Sequence, residues 1–416
     1  LNQDGKDELA VGAPRADVDG LVDAGRVYIF FGRSTPASLT ASTQADFTFD
    51  GLRPGAWFGA SMSVANNGAG NFADLLVGAP GRGPNNDGYA GCVFQIETPT
   101  ISQAAAIASG VPGLVPIAVN PTPGSPPGIS GSLQSGYLLD AHRILQGTCS
   151  GDRFGSSVAF VGNLDGAAGQ EFLVGAPQHA PELEDFTDTT GPGYVRLFRL
   201  GNATHLIQIN GTQDNGPPLH KSGEAFGFSV AGGLKLDDDS TPDFIVRSPL
   251  FEVNKGVPHS IRVDAGRVRA FSGAAAADNI EFALLTDALP NGTLMIGENE
   301  SDQFGYSVAP VGTLDADVFD EFIVGAWKAR LVDPDACSGQ NGGDSRTALA
   351  GGAYVYSPGS SLPNKRILRF YGEATKDHLG RDVAGANLFG TTVPEIVLSG
   401  CAHSDPDFAP NEQDIG

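Results

Sequence analysis

The sequence has few of the residues that stabilise small secreted scaffolds or form common catalytic sites. Among 416 residues there are four cysteines, two methionines and two tryptophans. Basic residues are also scarce, with 25 lysines and arginines against 48 acidic residues, so the formal net charge is −23. Such a surface repels the phosphates of nucleic acids and of anionic membranes, and we expect neither as a partner.

Catalytic and membrane-spanning patterns are missing as well. No Ser-His-Asp, HExxH or Gly-x-Ser-x-Gly pattern appears, and the seven histidines are scattered, so we predict that the protein is not an enzyme. The most apolar stretch, 104–119, is interrupted by Pro112 and Pro116 and is too short to cross a bilayer. Long stretches with a 3.6-residue apolar period are absent, which argues against a helical solenoid.

The cysteines indicate a compartment rather than a site. Their even number fits an oxidising environment, and their spacings match no zinc-binding motif, so disulfides and free thiols both stay open. Four Asn-x-Ser/Thr triplets are potential glycosylation sites only in a eukaryotic secretory pathway. They begin at Asn202, Asn210, Asn291 and Asn299.

What the sequence does have is a repeat, supported by 57 glycines and 28 prolines that suit short strands and tight turns. Five of the six copies open with Phe-Gly or a variant, at Phe58, Phe154, Phe226, Phe304 and Leu379. Each closes with an acidic residue and an apolar run typical of a strand. The closing runs are ELAVGAP from Glu8, DLLVGAP from Asp74, EFLVGAP from Glu171, DFIVRSP from Asp243, EFIVGAW from Glu321 and EIVLSGC from Glu395.

Four short antiparallel strands, which we call A to D, account for each repeat. Repeated four-stranded units of this size are typical of β-propeller blades, so we predict an all-β propeller in a single domain, 1–416. The predicted blade units are 1–53, 54–150, 151–222, 223–300, 301–374 and 375–416. A Pro/Gly/Ala-rich insertion, 98–135, is predicted as a loop between strands C and D of the second unit.

Phe-Gly-x-Ser-Val, an Asp-rich turn and Val-Gly-Ala-Pro together resemble the FG-GAP repeat of the integrin α-subunit propeller. The resemblance covers nearly the whole chain and implies a seven-bladed propeller. Six units are visible and the first and last are incomplete, so we expect the chain to be a fragment, with a true six-bladed ring as the alternative.

The resemblance also implies calcium sites in the turns between strands A and B, where alternate oxygen ligands surround the cation. The fifth unit offers Thr313, Asp315, Asp317, the Phe319 carbonyl and Glu321, and the first offers Asn2, Asp4, the Lys6 carbonyl and Glu8. Weaker sets are Asn163, Asp165 and Glu171 in the third unit and Asp237, Asp239 and Asp243 in the fourth, where Lys235 takes the first position. The alternative is that these acids only accept backbone N–H bonds within the turn.

The same resemblance implies a ligand-binding face made by the B–C and D–A loops, of which the B–C loops are long and acidic here. Trp327 is expected there as an exposed aromatic contact, and Cys337–Cys401 and Cys92–Cys149 are the disulfides considered. We therefore expect an extracellular or cell-surface, non-catalytic binding or adhesion module for a protein or glycan ligand, with an unknown partner subunit possible. The alternatives are the propeller of a secreted phospholipase- or polysaccharide-active hydrolase, and a purely structural repeat.

Overall fold

The fold was obtained as a computed structural model. It describes residues 8–32, 45–51, 53–66, 73–81, 89–96, 130–131, 143–166, 169–178, 191–200, 202, 204–212, 223–252, 264–273, 295–299, 301–315, 317–332, 346–347, 350–358, 366–372, 377–386 and 393–400. Their regular structure is entirely β, and among them no helix has the length and apolar character needed to cross a bilayer. The chain divides into two compact units, Leu1–Asn210 and Gly211–Gly416.

The first unit contains three four-stranded antiparallel sheets, named blades 1 to 3. Its strands are β1 (Leu9–Ala13), β2 (Arg26–Phe30), β3 (Phe47–Asp50), β4 (Ser61–Asn66), β5 (Ala73–Ala79), β6 (Cys92–Ile96), β7 (Ser130–Gly131), β8 (Arg143–Gln146), β9 (Ser157–Gly162), β10 (Glu171–Ala176), β11 (Tyr194–Arg199) and β12 (His205–Asn210). The strand orders are β1-β2-β3-β7 in blade 1, β4-β5-β6-β8 in blade 2 and β9-β10-β11-β12 in blade 3.

The second unit contains blades 4 and 5, each four-stranded, and a two-stranded blade 6. Its strands are β13 (Val230–Leu234), β14 (Asp243–Ser248), β15 (Arg267–Phe271), β16 (Met295–Ile296), β17 (Ser307–Gly312), β18 (Glu321–Ala326), β19 (Leu331–Val332), β20 (Arg346–Thr347), β21 (Gly352–Tyr356), β22 (Arg366–Tyr371), β23 (Asp382–Ala386) and β24 (Glu395–Ser399). Blade 4 is β13-β14-β15-β16, blade 5 is β17-β18-β21-β22 and blade 6 is β23-β24. The short strands β19 and β20 pair within the B–C loop of blade 5.

The predicted all-β blade architecture is confirmed, and the Phe-Gly and Val-Gly-Ala-Pro segments form neighbouring strands as expected. One detail differs from the prediction. The segment 98–135 was expected to be a loop, yet Ser130–Gly131 pairs with Phe49–Asp50 and forms the outermost strand of blade 1. A sheet edge with unpaired N–H and C=O groups accepts such an added strand without regard to its side chains. The prediction of one domain over 1–416 stays a prediction.

The core lies between successive blades. In the first unit, Phe58 and Phe154 are the centres of apolar clusters that join blade 1 to blade 2 and blade 2 to blade 3. In the second unit, Phe304 is in the equivalent position between blades 4 and 5. These three rings and that of Phe226 are almost completely buried, so the Phe-Gly phenylalanines are core residues.

Backbone hydrogen bonds attach four of the Phe-Gly-type turns to the preceding blade, at Phe58, Phe154, Phe304 and Leu379. Phe154 N donates to Ala90 O at 2.9 Å, and the residue before it, Arg153, donates its N–H to Tyr89 O at 3.1 Å. The residue before the phenylalanine or leucine has a positive φ in all five such turns, although none is glycine: Trp57, Arg153, Ala225, Gln303 and His378. The repeated pairing compensates for a left-handed backbone that non-glycine residues rarely adopt.

The glycine of Val-Gly-Ala-Pro is required where two blades approach. A Cβ on Gly78 would lie 2.1 Å from Gly155 O, and a Cβ on Gly325 would lie 2.1 Å from Gly380 O. Blade 4 departs from this rule, since Arg247 takes the position and donates from Nη1 to Gly305 O at 2.6 Å. Its guanidinium carbon lies 4.6 Å from the Phe228 ring centroid, and burial lowers the pKa of Arg247 to about 9.

The structure corrects one of the two disulfides considered. Cys92 is buried on β6 and directs its Sγ towards Ala79 O at 3.8 Å, whereas Cys149 is exposed in the turn after β8. The two cysteines are not bonded to each other. Cys337 and Cys401 lie outside the described residues.

Candidate metal centre

The turn between β17 and β18 in blade 5 brings three carboxylates together. One oxygen from each of Asp315, Asp317 and Glu321 lies within 4.8 Å of the others. Alternating backbone hydrogen bonds fold the turn, because Asp317 N donates to Asp315 Oδ1 and Phe319 N donates to Asp317 Oδ1, both at 2.9 Å. Thr313 and Phe319, the other two predicted ligands, lie half-buried in the same turn.

Glu321 is the buried member of this cluster. It begins β18 and is fully buried, and its Oε2 accepts the N–H of Leu314. Its Oε1 is also buried but has no hydrogen-bond partner, and the nearby Ser357 hydroxyl does not reach hydrogen-bond geometry with it. Burial raises the pKa of Glu321, the Leu314 N–H and Ser357 lower it, and the Asp315 and Asp317 charges raise it. A cluster of three carboxylates, one of which has a buried oxygen without a hydrogen-bond partner, fits a hard divalent cation with oxygen ligands.

The corresponding turn of blade 3 contains a cation from the protein itself. Arg199, at the end of β11, forms an ion pair through Nη2 with Asp165 Oδ2 and through Nε with Glu171 Oε1, the latter at 3.1 Å. Leu164 N donates to Glu171 Oε2 at 2.8 Å, so both oxygens of this carboxylate have partners. Asn163, the third predicted ligand, instead accepts the N–H of Gly166 at 2.7 Å.

Blade 4 satisfies its buried acid with backbone groups. Asp243 accepts from Leu236 N at 2.6 Å and from Gly273 N at 3.0 Å. Burial raises the pKa of Asp243 to about 6, although these two hydrogen bonds lower it. Asp237 and Asp239 hold the turn through bonds to the N–H groups of residues 239 and 241. This is the turn-holding role that was the alternative to metal binding.

The remaining predictions are only partly covered. In blade 1, Glu8 is half-buried, while Asn2, Asp4 and Lys6 lie outside the described residues. Lys235 is exposed, and its backbone N–H donates to Asp320 Oδ2 at 2.8 Å. The expectation for Trp327 is wrong, because its ring is buried and its Nε1 donates to Gln303 Oε1 at 2.6 Å.

Sequence reasoning missed a second set of acids, two residues before the phenylalanine or leucine that opens four of the repeats. Asp152, Glu224 and Asp302 in this set are buried. Asp152 accepts hydrogen bonds from Thr148 N, Cys149 N, Gln178 Nε2 and the Tyr194 hydroxyl. Glu224 pairs with Arg267 and Arg269. The signal was present in the sequence as GDRFG, GEAFG, SDQFG and KDHLG.

Comparison with known protein families identifies the repeat. The model of the FG-GAP repeat matches residues 1–30, and the same strand–turn–strand pattern recurs in the later blades. This chain contains an FG-GAP repeat. Its closing acid, Glu8, marks the same position as Glu171 and Glu321.

Relatives of this FG-GAP protein fall into two groups. Integrin alpha ina-1 of Caenorhabditis elegans is 26% identical over 252 residues, which are 59% of this chain and 19% of that protein. Human integrin alpha-IIb is 35% identical over 103 residues, 25% of this chain and 9% of that protein. Human phosphatidylinositol-glycan-specific phospholipase D is 35% identical over 97 residues, 23% of this chain and 12% of that protein. The match covers less than a fifth of each relative's length.

Proposed function

We propose that this FG-GAP protein is an extracellular or cell-surface, non-catalytic binding module of the adhesion type. We propose further that the A–B turn of blade 5 binds calcium. The observation that carries the calcium proposal is the Asp315–Asp317–Glu321 cluster, in which Glu321 Oε1 is buried and has no hydrogen-bond partner. When bound, calcium would supply the positive charge that these three carboxylates lack, and would fix the turn between β17 and β18.

The ligand is proposed to bind at the face formed by the B–C and D–A loops. The similarity to integrin α-subunits supports this adhesion-type role. The chain's acidic surface favours a basic or polar protein or glycan ligand over nucleic acid. A partner subunit is part of the same proposal, which rests on the similarity to proteins named integrin alpha.

The test is a calcium titration of the purified chain by calorimetry and thermal melting. We expect saturable binding with a Kd of about 10⁻⁴ to 10⁻³ M, as in extracellular modules. Calcium at 100 times the Kd then stabilises the fold by about 2.7 kcal/mol. Asp315→Ala/Asp317→Ala should abolish this stabilisation.

The matched control is the double substitution Asp237→Ala/Asp239→Ala in blade 4, where Asp243 already has two backbone partners. This variant should keep the calcium-induced rise in melting temperature. Equal loss in both variants, or no calcium binding by the wild type, would contradict the proposed blade 5 site.

The second candidate function is the propeller part of a secreted hydrolase. The observation that favours it is the similarity to phosphatidylinositol-glycan-specific phospholipase D. Incubating the chain with a glycosylphosphatidylinositol-anchored protein and measuring release of the anchored protein tests it. Release of more anchored protein than by a heat-inactivated sample would replace the non-catalytic proposal. Binding of the chain to a glycan or protein array, without release of the anchored protein, would support the non-catalytic proposal.

A further inference from the structure

We propose that Arg199 is a built-in replacement for the divalent cation in blade 3. We propose further that, where no backbone N–H group occupies the second oxygen of the closing acid, the residue opposite that acid decides which cation an A–B turn holds. This inference rests on the proposed calcium site of blade 5 for its comparison. It adds a determinant that lies outside the turn, on strand C, 28 residues after Glu171 in blade 3.

The A–B turns of blades 3 and 5 surround the closing acid in the same way except at one oxygen atom. In both, Oε2 accepts the N–H seven residues earlier in the chain, from Leu164 in blade 3 and from Leu314 in blade 5. In both, the carboxylate is fully buried. The difference is at Oε1, which pairs with the Arg199 guanidinium in blade 3 and has no partner in blade 5.

The pairing of strands B and C decides which residue lies beside the closing acid. Glu171 is directly opposite Arg199 across the β10–β11 pair. Phe322 is opposite Tyr356 across the β18–β21 pair, so Ser357 continues the strand beside Glu321. The blade 4 residue in this place is Ser272, beside Asp243. Serine has no charge to bring into the turn, whereas the Arg199 guanidinium reaches both carboxylates.

The blade 3 turn is adapted to the guanidinium in two further ways. By sequence, Ala167 stands where Asp317 stands in blade 5, so one carboxylate is missing. Two carboxylates with one guanidinium carry the same net charge as three carboxylates with one divalent cation. Gly169, with φ +121°, lies under the arginine, and a Cβ there would be 3.1 Å from Arg199 Cδ.

The test exchanges the determinants between the blades in the full-length chain and uses calcium alone as the probe. Arg199→Ser/Ala167→Asp should bind one calcium ion more than the wild type by calorimetry, and adding Glu171→Gln should remove that ion. Ser357→Arg/Asp317→Ala/Phe319→Gly copies the blade 3 arrangement into blade 5. It should bind one calcium ion fewer.

Melting in the presence of a chelator gives a readout that needs no calcium. Arg199→Ser should lower the melting temperature in chelator because Glu171 loses its partner. Calcium should not raise the melting temperature of the blade 5 triple variant through the blade 5 turn. The triple variant should melt in chelator at or above the wild-type temperature, because Glu321 gains a partner.

Each outcome separates this inference from the calcium proposal. A wild type that binds no calcium refutes the proposed function, while an added site in Arg199→Ser/Ala167→Asp still supports the inference. A folded Arg199→Ser/Ala167→Asp with no added site overturns the inference. If Arg199→Ser/Ala167→Asp does not fold, the blade 5 triple variant decides the matter. The inference is overturned if the triple variant binds as much calcium as the wild type, or if it melts well below the wild type in chelator.

Discussion

At the scale of single residues, burial turns several polar side chains into structural partners. Trp327 was expected to be an exposed contact, but it packs 4.9 Å from the His378 ring and 5.1 Å from the Tyr306 ring, measured between centroids. Its indole N–H is the hydrogen-bond partner of Gln303, which is itself buried. The sequence alone shows an aromatic residue at a loop, and only the packing of the neighbouring blade decides that the ring points inwards.

Replacing Trp327 with phenylalanine should therefore destabilise the fold. The ring volume is largely kept, but Gln303 Oε1 loses its donor, and an unsatisfied buried acceptor costs about 1–3 kcal/mol. Denaturant unfolding measures the loss. Trp57→Phe is the control. Trp57 is half-buried and contacts the Arg15 and Arg153 guanidinium groups, and losing these contacts should cost less than losing a buried hydrogen bond. Equal effects would show that the Gln303 bond contributes little.

Asp302 should make stability depend on pH. Burial raises its pKa to about 6, against its ordinary 3.8, although Asn299 lowers it through two hydrogen bonds. The folded state therefore binds a proton more tightly than the unfolded state. The stabilisation is complete below the unfolded pKa and is lost as the pH rises through about 6, up to about 3 kcal/mol in total.

Asp302→Asn, which resembles the protonated acid, should remove this dependence. The measurement is the free energy of unfolding of both proteins at several pH values from 4 to 8, without divalent cations. The wild type should lose stability relative to the variant as the pH rises. A constant difference across this range would show that the folded and unfolded pKa values of Asp302 are alike.

At the scale of strands and turns, the second unit contains two glutamates that each face a pair of arginines. Glu224 is buried and pairs with Arg267 at 2.7 Å and with Arg269 at 2.8 Å, joining a D–A turn to β15. Glu298 is 43% exposed and pairs with Arg366 at 2.6 Å, joining another such turn to β22. The same charges thus occur in a buried and in a solvated setting.

Removing the carboxylate charge should separate the two settings. Glu224→Gln leaves two arginines in a buried place without their counter-charge, which typically costs about 3–5 kcal/mol. Glu298→Gln should cost about 0–1 kcal/mol, as for exposed pairs. Thermal melting of both variants checks the difference, and a similar small loss in both would mean that water reaches Glu224.

Much of the strand and turn structure could be predicted from the sequence. Strand B follows from the apolar run after each closing acid, as in β18 (Glu321–Ala326). The Asp315–Asp317–Glu321 cluster followed from alternate spacing in one turn, which is local information. The role of Arg199 could not be predicted in this way, because register between distant strands places it beside Glu171.

At the scale of the whole molecule, the excess of acidic residues should make stability depend on salt. The net charge is −23, so the acidic side chains repel one another in the compact state and destabilise it. Raising sodium chloride from about 0.02 to about 0.2 M shortens the screening length to below about 10 Å and should raise the melting temperature. This general effect must be separated from specific binding of calcium.

The separation uses Asp315→Ala/Asp317→Ala at matched ionic strength. Sodium chloride should stabilise this variant and the wild type by similar amounts, whereas calcium chloride should give the wild type an additional increase. If calcium chloride has no greater effect than sodium chloride on the wild type, screening alone accounts for the response.

The left-handed residue before each Phe-Gly turn has a consequence for protein engineering. In five turns the same backbone carries an indole, a guanidinium, a methyl group, an amide and an imidazole, at Trp57, Arg153, Ala225, Gln303 and His378. The scaffold therefore tolerates very different chemistry there, while β-branched residues are disfavoured by the positive φ. Randomising Trp57 and Arg153 together would give a compact library at two contacting positions, because the Arg153 guanidinium carbon lies 4.8 Å from the Trp57 ring centroid. Selection from this library would test whether the fold accepts new specificities.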